Sequence, residues 1–335
     1  MPRDISGLIL AILFSSLSTL LLAEEAQHPK YASFSLENDI FNGADSGYTG
    51  GWGMGWGSND YEAFNSDNTP GWILWLTQNH YISTKGNKTR AVSHFISQRI
   101  NTPTDIRQEP LLVDDLPYSG LLSWKFTMHS YDQKIADRLS LTLGIIGPDS
   151  GAEAVHTEIH RYTDSKEPNG WRHQLHNEPV FRVEHWRHVR LFNWENTNGP
   201  EHDIIGAGFV GIGTLKSDVG AGISFRWGYG LSNTFPSVAM MPSREINVLA
   251  GKERNWHIFF NVLGRYVAND IAIDGNTFRS SHSVKLKHEQ ALAVLGFSYA
   301  AGNWVYHVST ATGSDTFDTQ TENSRYSSFS LTYHY

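Results

Sequence analysis

The sequence predicts an all-β protein: a transmembrane antiparallel β-barrel of about twelve strands, with a short helix in an extracellular loop. Three observations carry this expectation. Apolar and polar residues alternate through segment after segment. The last segment keeps the alternation to its final residue, with Phe329, Leu331, Tyr333 and Tyr335 on one face and Ser328, Ser330, Thr332 and His334 on the other, as a strand requires. Beyond the first two dozen residues, no stretch stays apolar long enough for a membrane helix.

Composition fits this reading. The 335 residues include 11 Trp, 14 Tyr, 17 Phe and 30 Gly, yet the mean hydropathy is only −0.36. That aromatic content excludes a disordered chain, and a barrel is hydrophilic on average because half of each strand faces inward. With no Cys, disulfide scaffolds, thiolate metal sites and thiol nucleophiles are excluded. The 26 basic and 34 acidic residues leave a net charge of −8, which gives no electrostatic footprint for nucleic acid.

The chain opens with Arg3, an apolar and Ser/Thr segment from Ile5 to Leu22, then Ala23 and an abruptly polar Glu24-Glu25. This layout predicts a signal peptide over residues 1–23. An uncleaved anchor is the competing reading, because about 18 apolar residues can span a bilayer. Residues 24–335 then form one barrel domain.

The alternating segments follow in order. Trp52, Met54 and Trp56 face one way and Gly51, Gly53, Gly55 and Gly57 the other. Leu122, Trp124, Phe126 and Met128 alternate with Ser123, Lys125, Thr127 and His129. Ile223, Phe225, Trp227 and Tyr229 alternate with Gly222, Ser224, Arg226 and Gly228, and Ile258, Phe260 and Val262 continue the pattern. Each segment is expected to run about 9–11 residues. A soluble sandwich also alternates, but a barrel gathers Trp and Tyr on its apolar face at the lipid interfaces. An aromatic last residue is also how bacterial outer-membrane barrels characteristically end. Tyr61–Pro70 and Lys85–Lys88 read as loops.

One segment has no two-residue period. Pro148 stops a strand, Asp149 or Ser150 is placed to cap a helix, and Glu153 falls in its first turn. Val155 and Ile159, like His156 and His160, are four residues apart and so share a helix face. A helix of about three turns is expected in this loop.

Four groups of residues could carry chemistry. Asn38 and Asp39, at the end of the first strand, offer the hard oxygens that Ca²⁺ takes; Asn-Asp is also common turn chemistry. His156 and His160 could bind a metal, act as a general base, or be solvated loop residues. Ser150 could be a nucleophile, but it lacks the G-x-S-x-G elbow and suits a helix cap. Glu178, near a buried-looking Trp171, could be a ligand or a lumenal carboxylate.

Taken in order, these segments resemble the lipid A 3′-O-deacylase family of Gram-negative outer membranes. The resemblance spans nearly the whole mature chain. It rests on Glu37-Asn38-Asp39, Tyr48-Thr49, Gln98, Thr102-Pro103, Pro117-Tyr118, Gly120, Gly147-Pro148, His160, Gly170-Trp171, Asn177-Glu178, Gly264-Arg265-Tyr266 and Asp274-Gly275-Asn276. It implies a twelve-stranded barrel, monomeric and outer-membrane, with an active site between the wall and a loop helix. It implies Ca²⁺-dependent hydrolysis of the ester holding the 3′ acyl group of lipid A in lipopolysaccharide. By position, His160 matches the catalytic base, Asn38 and Asp39 the Asn-Asp pair at the metal, and Thr49 a site Thr. The sequence departs from the family at His156, where Gln is expected; at Ser46 and Leu116, where Arg is expected; and at Gly50, where Asn is expected. A site Lys has Arg99 as its only candidate. The rival functions are an outer-membrane phospholipase using Ser150, and a non-catalytic porin or structural barrel.

Overall fold

The computed structural model describes residues 30–38, 47–84, 86–196, 199–241, 255–321 and 323–335. The expected signal peptide lies outside the described residues. Twelve strands run in order: β1 (Tyr31–Asn38), β2 (Gly47–Tyr61), β3 (Thr89–Thr102), β4 (Ser119–Tyr131), β5 (Ile135–Ile146) and β6 (Glu178–Trp194), then β7 (Glu201–Ile212), β8 (Lys216–Tyr229), β9 (Asn255–Asp270), β10 (Glu289–Ala301), β11 (Trp304–Gly313) and β12 (Arg325–His334). Each pairs antiparallel with its sequence neighbours, and β1 closes on β12 with Tyr31 opposite His334. The barrel has no free edge to template association.

The expected alternation sets the two faces. On β8 and β9, Phe225, Trp227, Ile258 and Phe260 are exposed toward the bilayer, while Arg226, Asn261 and Phe259 between them are buried. Strand length departs from the expectation: β6 has 17 residues and β9 has 16, because several hairpins extend past the length needed to cross. The lumen also departs from a purely polar filling. A Cβ on Gly53 would come 2.1 Å from the Phe95 ring, and one on Gly296 the same distance from Phe259. The inward glycines make room for large rings laid across them.

The lumen is closed from the end that carries the termini. The described part of the β8–β9 connection, residues 230–241, turns into the barrel, where Phe235 and Met240 are fully buried. Its backbone carbonyls are held by lumenal side chains: Arg138 to Pro236 O at 3.0 Å, Arg226 to Leu231 O at 3.0 Å and Asn261 to Ala239 O at 3.0 Å. Arg226 also forms a buried pair with Asp203. Beyond this plug a cavity of about 220 Å³ remains, lined by residues including Lys125, Arg182, Glu184 and Asp218.

The β2–β3 connection is loop over 62–70 and 86–88, as expected, with further structure between them. Within it, helix α1 (Gly71–Thr77) and a 3₁₀ turn at Tyr81–Ser83 cover the outer face of β3–β5 near the termini, packing Ile73 and Ile82 on Val92, Phe126 and Met128.

Candidate active site

At the opposite end of the barrel, a second segment covers the same strands. The β5–β6 connection carries helix α2 (Ala152–Tyr162), the expected three turns. Its start differs in detail from the expectation. Pro148–Ser150 forms a 3₁₀ turn, and Gly151, left-handed at φ 69°, precedes the helix without a side-chain cap. Only glycine adopts that conformation freely. Ser150 Oγ instead donates to Gly147 O at 2.6 Å and accepts weakly from Ala152 N.

Strand register shows which face of the wall α2 covers. Leu36, Trp52, Gln98 and Leu122 form one transverse row across β1–β4, and Asn38, Gly50, Ile100 and Gly120 form the next. Leu36 is 45% exposed to the bilayer, so both rows lie on the outer face. A Cβ on Gly120 would come 2.2 Å from the Cβ of Ala152. Gly120 is therefore the seat on which α2 rests, and Ile100, Ile106, Tyr118 and Trp171 pack around Ala152. Two side chains extend this seat. Trp52 Nε1 donates to Gln98 Oε1 at 3.1 Å, and Gln98 Nε2 donates to the buried Ser150 carbonyl at 2.7 Å. By periodicity Gln98 is an ordinary strand residue that stands out only through the family resemblance, and its place opposite Trp52 reveals the link.

One stripe of α2 is buried: Ala152, His156 and His160 at four-residue spacing, with Ile159 and Tyr162 turned outward. The imidazole rings of His156 and His160 meet edge to face, 4.3 Å between centroids. His160 Nδ1 lies 2.6 Å from Lys166 O. A carbonyl only accepts, so Nδ1 carries a proton and, in the neutral ring, the lone pair is on Nε2. Trp171 Nε1, donor only, reaches His156 Nδ1 at 3.2 Å. His156 therefore carries its proton on Nε2, which is buried with no partner among the described residues, at a cost of about 1–3 kcal/mol for such a group. Burial, and secondarily the neighbouring His160, push the His156 imidazole down to about 3.

The other expected residues divide by location. Asn38 ends β1 in the same outer row as Gly120. Neighbouring strands are roughly 4.8 Å apart, so Asn38 lies about 10 Å from β3. Thr49 sits where the β2–β3 register shifts between Tyr48 and Gly50. Asp39 and Ser46 lie outside the described residues. Leu116 belongs to an apolar cluster with Val267, Ile273 and Phe317, a place unsuited to the Arg expected there. Arg99 follows Gln98 on the strand and lines the lumenal cavity, on the opposite side of the wall from α2. Glu178 accepts from Thr277 N at 3.1 Å and from Phe278 N at 3.2 Å, so it is a carboxylate that ties down the β9–β10 loop. Among the described residues no cluster of three His, Asp or Glu is placed to hold a metal.

This arrangement defines a class: a plugged membrane barrel that carries two buried imidazoles on a helix docked against the lipid-facing side of its wall. The chain belongs to the LpxR family, whose model, outer membrane protein LpxR, matches residues 8–335; it is an outer-membrane barrel. LpxR from Salmonella typhimurium has a similar fold, at 16% identity over 91% of this chain and all of that one, with a TM-score of 0.76. The β domain of the Bordetella autotransporter BrkA aligns more loosely, at 8% identity over 92% of this chain and 99% of that one, with a TM-score of 0.44. No curated protein sequence matches the chain. An even strand number brings both termini to one end, which in an outer-membrane barrel is the periplasmic one. Helix α2 is then extracellular and the plug enters from the periplasmic side.

Proposed function

We propose that this protein hydrolyses the ester that joins the 3′ acyl group to lipid A, by a water that His160 activates. The observation that carries the reading is the His160 imidazole. Its Nδ1–H is anchored on Lys166 O, which leaves Nε2 as the basic nitrogen of the neutral ring, and it is buried against the outer wall. A base hydrogen-bonded in this way is fixed in both tautomer and orientation.

The residues near the end of β1 suit Ca²⁺ as the cofactor. Asn38 and Asp39 present oxygen donors, the chemistry this cation takes. A side chain at Gly50 would crowd Asn38, since a Cβ there would come 2.9 Å from Glu37 O and 3.4 Å from Asn38 Nδ2, so the glycine keeps that flank of Asn38 clear. Asn38 and Asp39 would hold the ion, with Thr49 as a further site residue. Bound Ca²⁺ supplies positive charge for a developing oxyanion.

The protein's own groups account for the proton movements. His160 Nε2 takes a proton from water as the water oxygen bonds to the acyl carbon. The carbon–oxygen bond to the sugar then breaks, and His160 returns the proton to the sugar oxygen. The products are a carboxylic acid and a free 3′ hydroxyl. Ser150 is poorly placed to compete as a nucleophile, because its hydroxyl donates to Gly147 O. The deciding experiment is mass spectrometry of lipid A from cells with and without the expressed gene. Loss of the 3′ acyl mass is expected, and an unchanged acyl pattern at good expression would overturn the proposal.

A further inference from the structure

His156 and His160 share one face of α2, yet their hydrogen bonds set them in opposite senses. At His160 a backbone carbonyl takes the Nδ1 proton and leaves a lone pair on Nε2. At His156 an indole N–H occupies the Nδ1 lone pair and leaves a proton on Nε2. The first ring offers an acceptor to whatever lies beside it and the second offers a donor. Both are buried, and the His156 Nε2 has no partner among the described residues.

Native proteins seldom leave a buried donor unpaired without a ligand, water or strained function to account for it. His156 cannot be a second base, since its only lone pair is used by Trp171. What it lacks is an oxygen. An ester bound beside His160 brings two, and the carbonyl oxygen gains negative charge during attack, when an N–H already in place is worth most.

We infer that His156 donates its Nε2–H to the carbonyl oxygen of the reacting ester, and that Trp171 is the positioning residue that holds His156 in that tautomer. The inference rests on reading the site as an ester hydrolase. Trp171 is itself held firmly: it is 2% exposed and packs on Tyr118 at 4.9 Å between ring centroids.

The test uses the full barrel in detergent micelles with ¹⁵N-labelled histidine. The His156 signals are assigned by their absence in His156→Gln. Wild-type His156 is expected as a single Nε2–H tautomer. Trp171→Phe keeps an aromatic ring but removes the N–H, and is expected to give a tautomer mixture. With a lipid A substrate, the same variant should lose kcat by about tenfold or more with little change in KM, as for a weakened oxyanion donor. His156→Leu should lose roughly 10²–10³-fold. His156→Gln has an amide that can accept from Trp171 and still donate, and should recover most of that loss.

An unchanged tautomer in Trp171→Phe would overturn the positioning role. A changed tautomer with full turnover, or an active His156→Leu, would mean that Nε2–H serves a resident water and would overturn the donor role. His160→Ala separates the two readings. If it stays active, the hydrolase mechanism fails, whereas the tautomer measurement on His156 stands by itself. Heat-modifiable migration in gels confirms that each variant is a folded barrel.

Discussion

Gln98 on β3 reaches the backbone carbonyl of Ser150 at 2.7 Å, and so ties the barrel wall to the turn from which the histidine-bearing helix grows. Gln98→Leu keeps the shape but leaves that buried carbonyl without its donor, a penalty of about 1–3 kcal/mol. The barrel should stay folded while α2 loosens. Hydrogen exchange should rise in residues 147–160 and activity should fall. Unchanged exchange there would mean that the link carries no weight.

Gly120→Val tests the seat of the helix. The new side chain would overlap Ala152, whose Cβ lies 2.2 Å from the added Cβ position. Overpacking of this kind costs about 1–3 kcal/mol, and here displacing α2 relieves it. Loss of activity with normal heat-modifiable migration is the expected result.

His160→Ala should lower turnover by about 10²–10⁴-fold, the usual contribution of a general base, with the barrel intact. Chelation by EDTA should abolish activity and added Ca²⁺ should restore it. Asn38→Ala should raise the Ca²⁺ needed for half-maximal activity about tenfold, the effect of weakening binding by about 1.4 kcal/mol. Activity that is indifferent to EDTA would refute the metal assignment.

Acid should undock α2 before it unfolds the barrel. In the unfolded loop His156 would titrate at its ordinary value near 6.5, whereas docked it is pushed down to about 3 by burial and by His160. The undocked state therefore binds more protons between those values. The stability His156 gives the docked loop is complete above about pH 6.5 and is lost progressively as pH falls toward 3. Hydrogen exchange of residues 152–163, corrected for intrinsic rate, should rise across that window, and the rise should be smaller in His156→Gln.

The plug predicts a silent pore. Purified protein in planar bilayers should show no stable conductance steps, which a porin would display. Arg226→Ala leaves Asp203 buried beside the more distant Arg190, and breaking a buried pair of this kind costs about 3–5 kcal/mol. Its unfolding temperature should fall measurably.

The strands were legible because each face meets a different solvent. Phe225, Trp227 and Tyr229 meet lipid while Arg226 meets Asp203, and that contrast is written as a two-residue period. Helix α2 was legible because Pro148 breaks that period and His156 and His160 repeat at four. Helix α1 left no comparable trace, since Gly71–Thr77 is too short to show a periodic face and its partners Val92 and Phe126 are remote in sequence. The plug was hidden for a related reason: backbone carbonyls hold it, and carbonyls have no signature in a sequence. Trp171 could be expected to be buried, but its aim at His156 could not. Arg99, the candidate for the family's Lys, faces the lumenal cavity, one step along β3 from Gln98 on the lipid side of the wall.

A helix seated on the outside of the wall also fixes the route of the reactants. Under the proposed activity, acyl chains that reach His160 would never need to leave the leaflet in which they already lie, and a released fatty acid could drift away sideways among its neighbours. The barrel would then work as a post standing in the membrane, with its chemistry on its flank and its bore sealed. Turnover on such a surface would be governed by lateral diffusion of lipid and would be indifferent to the permeability of the barrel.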